Sequence, residues 1–91
     1  MTDKDILTML KTDLQISASQ YDTYLSNLIT LAKAAIKKEG ITLGENVEDG
    51  MLVQMYSAYL YRKRREENSA MPRSLRYALN NRLLSQKGSA T

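Results

Sequence analysis

One stretch, GMLVQMYSAYLYRKRREE from Gly50 to Glu67, constrains the fold of this chain more than any other. In a helix that advances about 100° per residue, its apolar side chains cover most of the circumference: Met51, Leu52, Val53, Met55, Tyr56, Ala58, Tyr59 and Leu60. Only a narrow polar stripe remains, through Gln54, Ser57 and Tyr61. A helix that is apolar on several sides is contacted on several sides. The pattern predicts a central helix that carries the core and ends in a basic run, Arg62–Arg65.

Three further helices are predicted around this stretch. Apolar residues at spacings of three and four indicate a short helix at about residues 3–12, a long one at about 20–39 and a last one at 72–84. Residues that favour helix ends occur at matching positions: Thr2 with Asp5, Ser17 or Ser19, Gly40, and Asn46 with Asp49. Asn68, Ser69 and Ala70 interrupt the pattern before the last helix.

The predicted fold class is all-α. No segment alternates as a strand does, so we expect a small four-helix domain with two long antiparallel central helices, a short N-terminal helix and a C-terminal helix. Ninety-one residues accommodate one domain, 1–91, in which residues 1–2 and 85–91 are expected to be flexible. The expected core hub consists of Leu28, Ala32, Leu52, Met55, Tyr56 and Tyr59.

Several function classes are disfavoured by residue types that the chain lacks. It has no cysteine and no histidine, so disulfide frameworks, thiolate catalysis and the usual zinc sites are absent. Its carboxylates cluster near predicted helix starts, where capping and the helix dipole explain them. There is no phosphate-binding glycine motif. We therefore expect no enzyme activity, no catalytic residue, no metal or cofactor, and no small-molecule substrate.

The chain shows no sign of a membrane segment. The N-terminal MTDKDILTMLK lacks the apolar core of a signal peptide. No run approaches the roughly 18–20 apolar residues that a membrane span requires. We expect a soluble, intracellular protein without a membrane partner.

The net charge of +3 hides an asymmetry between the two halves of the chain. Residues 1–50 contain five lysines and eight acids, a balance of −3, whereas residues 51–91 contain eight basic residues and two acids, a balance of +6. A basic half can bind nucleic acid or an acidic partner, and it can also be a merely solvated surface. In a self-assembling protein, the basic half of one subunit can instead contact the acidic half of the next.

Four blocks of sequence follow one another in the chain: DILTMLKTDLQIS, YLSNLITLAKAAIKKEGI, MLVQMYSAYLYRKR and MPRSLRYALNNRLLSQKG. In this order they resemble small phage head–tail connector proteins. These proteins, also described as adaptors or DNA-packaging proteins, occur in tailed phages and prophages of Gram-positive bacteria. The resemblance covers Asp5 to Gly88 and rests on order, spacing and length, with the last block the most distinctive.

The resemblance implies a helical subunit of a ring-shaped homo-oligomer. The ring would lie below the portal protein, contact the next head-completion or tail protein, extend the channel through which double-stranded DNA passes, and help to retain the packaged genome. The expected location is the virion, after assembly in the host bacterial cytoplasm. Candidates for an inter-subunit or channel-facing surface are Arg62, Arg65, Arg73 and Arg76. Candidates for contact with the portal or a neighbouring subunit are Tyr77, Asn80, Asn81 and Arg82.

Two other functions remain open from the sequence. The main alternative is a small helical DNA-binding or packaging-accessory module that uses its basic C-terminal half. Its DNA binding would weaken steeply as salt rises. The other is a regulatory partner of a phage enzyme such as the terminase.

Overall fold

The computed structural model describes residues 1–66 and 70–89. Within these ranges the chain forms α1 (Asp3–Leu14), a 3-10 turn (Ser19–Tyr21), α2 (Asp22–Lys38), α3 (Val47–Arg65) and α4 (Arg73–Ser89), and no strand. The long helices α2 and α3 are joined by the short loop 39–46 and pack antiparallel. The predicted all-α, four-helix fold is confirmed. The predicted interruption at Asn68 and Ser69 lies outside the described residues, as do the last two residues.

The helix ends follow the predicted caps at three of four places. Thr2 and Asp5 form a complete capping box at the start of α1, and the Asn46 side chain accepts a hydrogen bond from the Asp49 backbone at the start of α3. Gly40, just after α2, has φ +94°, and its N–H donates to the carbonyl of Lys37. Glycine adopts such a left-handed conformation without steric cost.

The predicted serine cap of α2 is wrong. Neither Ser17 nor Ser19 caps this helix, because the 3-10 turn leads directly into it. The N–H of Asp22 already donates to the carbonyl of Ser19, so the backbone provides the bond that a side chain was expected to make.

Helix α3 is the centre of the core and contacts each of the other three α-helices. Of the expected hub, Leu28, Ala32 and Leu52 are buried. The other three members are half-buried and pack against the edge of the core: Met55, Tyr56 and Tyr59. Two of the three residues on the stripe of α3 that was expected to be polar, Gln54 and Ser57, are buried.

The buried polar side chains on α3 have hydrogen-bond partners. Ser57 is fully buried and donates to the carbonyl of Val53 at 2.8 Å. The Gln54 amide donates to the Asp13 carboxylate of α1 at 3.1 Å. A polar group that keeps its hydrogen bond can be buried at little cost. Helix α1 can therefore cover Gln54, whereas the apolar Met51 remains 46% exposed.

Helix α4 begins one residue later than expected and continues past Leu84 to Ser89. Leu75 and Leu79 are buried. Beyond the predicted helix end, the Gln86 side chain accepts from the Thr42 N–H at 2.6 Å and donates to the Gly40 carbonyl at 2.8 Å. The residues up to Ser89, which were expected to fray, thus continue the helix, and Gln86 packs on the loop between α2 and α3. None of the described helices is long and apolar enough to cross a lipid bilayer.

The two faces of α2 can be tested with a matched pair of leucines. Leu28 is 1% exposed and Leu31 is 56% exposed. We expect Leu28→Ala to lower the free energy of unfolding by about 2–4 kcal/mol, because it leaves a cavity in the core. Leu31→Ala should change it by less than about 0.5 kcal/mol. Urea denaturation followed by circular dichroism measures both, and equal effects would contradict this orientation of α2.

Candidate functional site

The acidic and basic halves of the chain meet largely within the subunit. Three arginines of the second half pair with carboxylates of the first half: Arg62 with Asp13, Arg76 with Glu39, and Arg82 with Asp49. Two further pairs join lysines and aspartates within the first half: Lys11 with Asp22, and Lys33 with Asp3. Three of the eight basic residues of the second half are therefore used to hold the helices of one subunit together.

The four arginines predicted as one surface have different surroundings. Arg62 lies 3.5 Å from the Asp13 carboxylate, and Arg76 binds both oxygens of Glu39 at 2.7 and 3.4 Å. Hydrogen bonding to Glu39 raises the pKa of Arg76. Arg65 contacts Tyr61 instead, and Arg73 is exposed at the start of α4. Arg62 and Arg76 thus have structural partners, whereas Arg73 presents its charge to solvent.

Arg82, predicted to contact the portal or a neighbour, is the partner of a buried carboxylate. Asp49 is 1% exposed, and Arg82 donates to its two oxygens at 2.7 and 3.1 Å. Arg82 also donates to the Thr42 carbonyl at 2.8 Å, and the Gly44 N–H donates to Asp49 at 2.6 Å. The bond from Arg82 lowers the pKa of Asp49, aided by Gly44, although burial acts in the opposite direction.

The other three residues predicted for that contact, Tyr77, Asn80 and Asn81, are exposed on α4. Tyr77 and Asn81 are one helical turn apart, so they share a side of the helix. Asn81 lines a groove of about 340 Å³ between α3 and α4, together with apolar side chains of both helices: Met51, Leu52, Met55 and Ala78.

The two helices that form this groove also carry exposed apolar side chains. The described residues include six exposed large hydrophobic side chains, and four of them lie on the two helices that form the groove: Val47, Met51, Tyr77 and Leu84, here called the apolar surface. Met51 itself lines the groove. Three of these were not predicted, although the spacing of four between Val47 and Met51 indicates a shared face. Clustered exposed apolar groups are typical of a protein-binding surface.

A different surface lies at the C-terminal end of α3. The rings of Tyr24 and Tyr61 are 6.4 Å apart, centre to centre. The Arg64 guanidinium lies 5.5 Å from the centre of Tyr24, and that of Arg65 lies 5.7 Å from the centre of Tyr61. Arg65 also donates to the Tyr61 hydroxyl at 3.0 Å. These four residues, here called the arginine–tyrosine cluster, join α2 to the end of α3.

The N-terminal carboxylates line a cavity of about 800 Å³ at the start of α3 but have structural partners. Asp5 completes the capping box, and the hydrogen bonds from Thr2 lower its pKa. Asp3 pairs with Lys33. No group of three or more potential metal-binding side chains occurs in the described part of the chain. The structure thus supports a structural interpretation of the acids at these helix starts.

The pairing of Arg82 with Asp49 is expected to be pH-dependent. Arg82→Met should lower the free energy of unfolding at neutral pH by about 2–4 kcal/mol, because it leaves a buried carboxylate unpaired. The native pKa of Asp49 is lowered, so its stabilising contribution is present above its unfolded pKa and is lost as the pH falls through the native pKa. The difference between wild type and variant should therefore shrink below about pH 4.

Arg73→Met is the matched control, because Arg73 is an exposed arginine on the same helix. Urea denaturation at several pH values measures all three proteins. An Arg82→Met effect that is as small as the control, or that does not change with pH, would contradict a stabilising ion pair.

Comparison with known proteins assigns the chain to a family. The family described as phage gp6-like head-tail connector protein matches residues 4–83, which include α2, α3, all of α1 but its first residue, and most of α4. Searches among curated proteins and among solved structures find no significant match. The matched range agrees with the four blocks of sequence that suggested a connector. The chain belongs to the phage gp6-like head-tail connector protein family.

Proposed function

We propose that this chain is the subunit of a homo-oligomeric ring that joins the phage head to the tail. The ring lies below the portal protein, extends the DNA channel towards the next head-completion or tail protein, and helps to retain the packaged genome. Assembly takes place in the host bacterial cytoplasm, and the finished ring is part of the virion. The observation that carries this proposal is the family match over residues 4–83.

The apolar surface supports a contact between subunits or with the portal. A stable protein interface usually has an apolar centre with a polar rim. Met51 and Tyr77 provide apolar area, and Asn80 and Asn81 provide hydrogen-bonding groups beside them. We assign this contact to Tyr77, Asn80 and Asn81, whereas Arg82 acts indirectly by holding α4 in place through Asp49.

The basic residues divide into two groups in this proposal. Arg62 and Arg76 stabilise the subunit through Asp13 and Glu39. Arg65 and Arg73 are exposed and are the members of the predicted set that can face a neighbouring subunit or the DNA channel. A subunit with different surfaces on different sides suits head-to-tail contacts, which form a ring when the rotation closes.

The alternative function is a DNA-binding or packaging-accessory module that does not assemble. The exposed cations at the end of α3 favour this alternative, since Lys63, Arg64 and Arg65 lie close together in the chain. The size of the purified particle distinguishes the two functions. A protein that stays monomeric at high concentration, both alone and with the portal, while binding DNA tightly, would support the accessory module instead.

The ring can be tested together with the apolar surface. Native mass spectrometry and negative-stain electron microscopy of the protein, alone and with the portal, should detect closed rings. The double variant Tyr77→Asn, Leu84→Asn should raise the protein concentration needed for assembly about tenfold or more, because it removes apolar contact area. Circular dichroism should show an intact fold, since both side chains are exposed.

Leu31→Asn is the matched control, because it replaces an exposed leucine on α2, away from the apolar surface. It should assemble as the wild type does. If the control impairs assembly as strongly as the double variant, the contact does not lie at the apolar surface. If the wild type forms no ring and does not bind the portal, the proposed function itself is wrong.

A further inference from the structure

The two arginines of the arginine–tyrosine cluster are held in place by the fold. Arg64 lies over the ring of Tyr24 from α2, and Arg65 lies over Tyr61 from its own helix. The two rings contact each other in a tilted arrangement, with an angle of 60° between their planes. Both tyrosines are half-buried and pack against the core. The cluster therefore places two guanidinium groups, one residue apart, on a rigid support.

Such a support favours the binding of an anion. A free arginine loses much of its rotational freedom when it binds a ligand, and a stacked guanidinium has already lost part of it. Stacking uses the face of the guanidinium, so N–H donors at its edge remain available to bind an oxyanion in pairs. Among the described residues, neither Arg64 nor Arg65 has a carboxylate within ion-pairing distance.

The surroundings of the cluster are polar rather than apolar. A depression of about 470 Å³ beside Arg65 is lined mainly by polar and charged side chains, including Asp13, Arg62 and Glu66. The Asp13 carboxylate there pairs with Arg62. The apolar surface lies near the other end of α3, a helix of 19 residues that spans about 28 Å. A protein partner needs apolar contact area, whereas a phosphate backbone can be bound by charge and hydrogen bonds alone.

We propose that the arginine–tyrosine cluster is a binding site for the phosphate backbone of duplex DNA. Arg64 and Arg65 each bind a backbone phosphate, and Tyr24 and Tyr61 position the two guanidinium groups. The site reads no base sequence, since it offers contacts to phosphates and not to base edges. The choice of DNA as the polyanion rests on the proposed function, in which DNA passes through the ring.

Fluorescence anisotropy with a duplex of random sequence, measured over a range of salt concentrations, tests this site in the full-length protein. Each phosphate contact contributes about 0.9 to the slope of log K against log salt concentration. The double variant Arg64→Gln, Arg65→Gln should therefore reduce the slope by about 1.8 and weaken DNA binding about tenfold or more at low salt. The control Lys37→Gln, Lys38→Gln removes the same charge from exposed positions at the end of α2 and should change the affinity by less than about twofold.

The role of the tyrosines has its own test. Tyr61→Leu removes the ring under Arg65 without changing the charge, so it should weaken DNA binding about threefold and leave the salt slope nearly unchanged. Tyr61→Phe keeps the ring but loses the hydroxyl that accepts the hydrogen bond from Arg65, and it should have a smaller effect. The pair remains informative if Tyr61→Leu is unstable, because Tyr61→Phe can be compared directly with the wild type.

Three results would overturn the proposal. The first is that the double variant Arg64→Gln, Arg65→Gln binds duplex DNA with the affinity and the salt dependence of the wild type. The second is an equal loss in the lysine control, which would indicate that only net charge matters. The third is a preference for polyglutamate over duplex DNA, which would indicate an acidic protein partner. Particle size, measured in parallel, separates the two proposals: rings without DNA binding contradict only this site, and DNA binding without rings contradicts only the proposed ring function.

Discussion

The ion pair between the buried Asp49 carboxylate and Arg82 joins α4 to the start of α3. The carboxylate accepts hydrogen bonds from the Gly44 backbone in the loop before α3 and from Arg82 in α4, so three segments meet at one charge. Burying an unpaired carboxylate costs several kcal/mol, so the hydrogen bonds from these partners stabilise the buried charge. Because the carbonyl of Thr42 also binds Arg82, the loop, the start of α3 and the middle of α4 form one connected unit. The exposed face of α4 is thus oriented by residues that lie beneath it.

Helix α3 separates two kinds of surface along its length. Its N-terminal half presents Met51 beside the groove with α4, and its C-terminal end presents Arg64 and Arg65 over tyrosine rings. The same helix supplies the middle of the core, so neither surface can shift without disturbing the packing of α1, α2 and α4. In the proposed ring, this separation allows protein contacts at one end of the helix and DNA contacts at the other.

The local pattern of the chain predicted the four helices and most of their ends, since capping boxes and a left-handed glycine act through neighbouring residues. It did not predict which face of α3 is buried, because apolar residues surround that helix and only α1 decides that Gln54 is covered. The intramolecular partners of the arginines could not be predicted for the same reason. Whether Arg82 is a contact residue or the partner of Asp49 depends on a residue 33 positions away in the chain, and spacing along one helix carries no information about such a pair.

The internal use of charge also affects how a ring could be held together. Arg62, Arg76 and Arg82 pair with acids of their own subunit, so these three arginines are less available to attract a neighbour. Contacts between subunits would then depend mainly on apolar area, which salt hardly screens, whereas phosphate contacts at Arg64 and Arg65 weaken steeply as salt rises. If different residues make the protein contacts and the DNA contacts, the affinity for DNA can vary with ionic strength while the contacts between subunits persist.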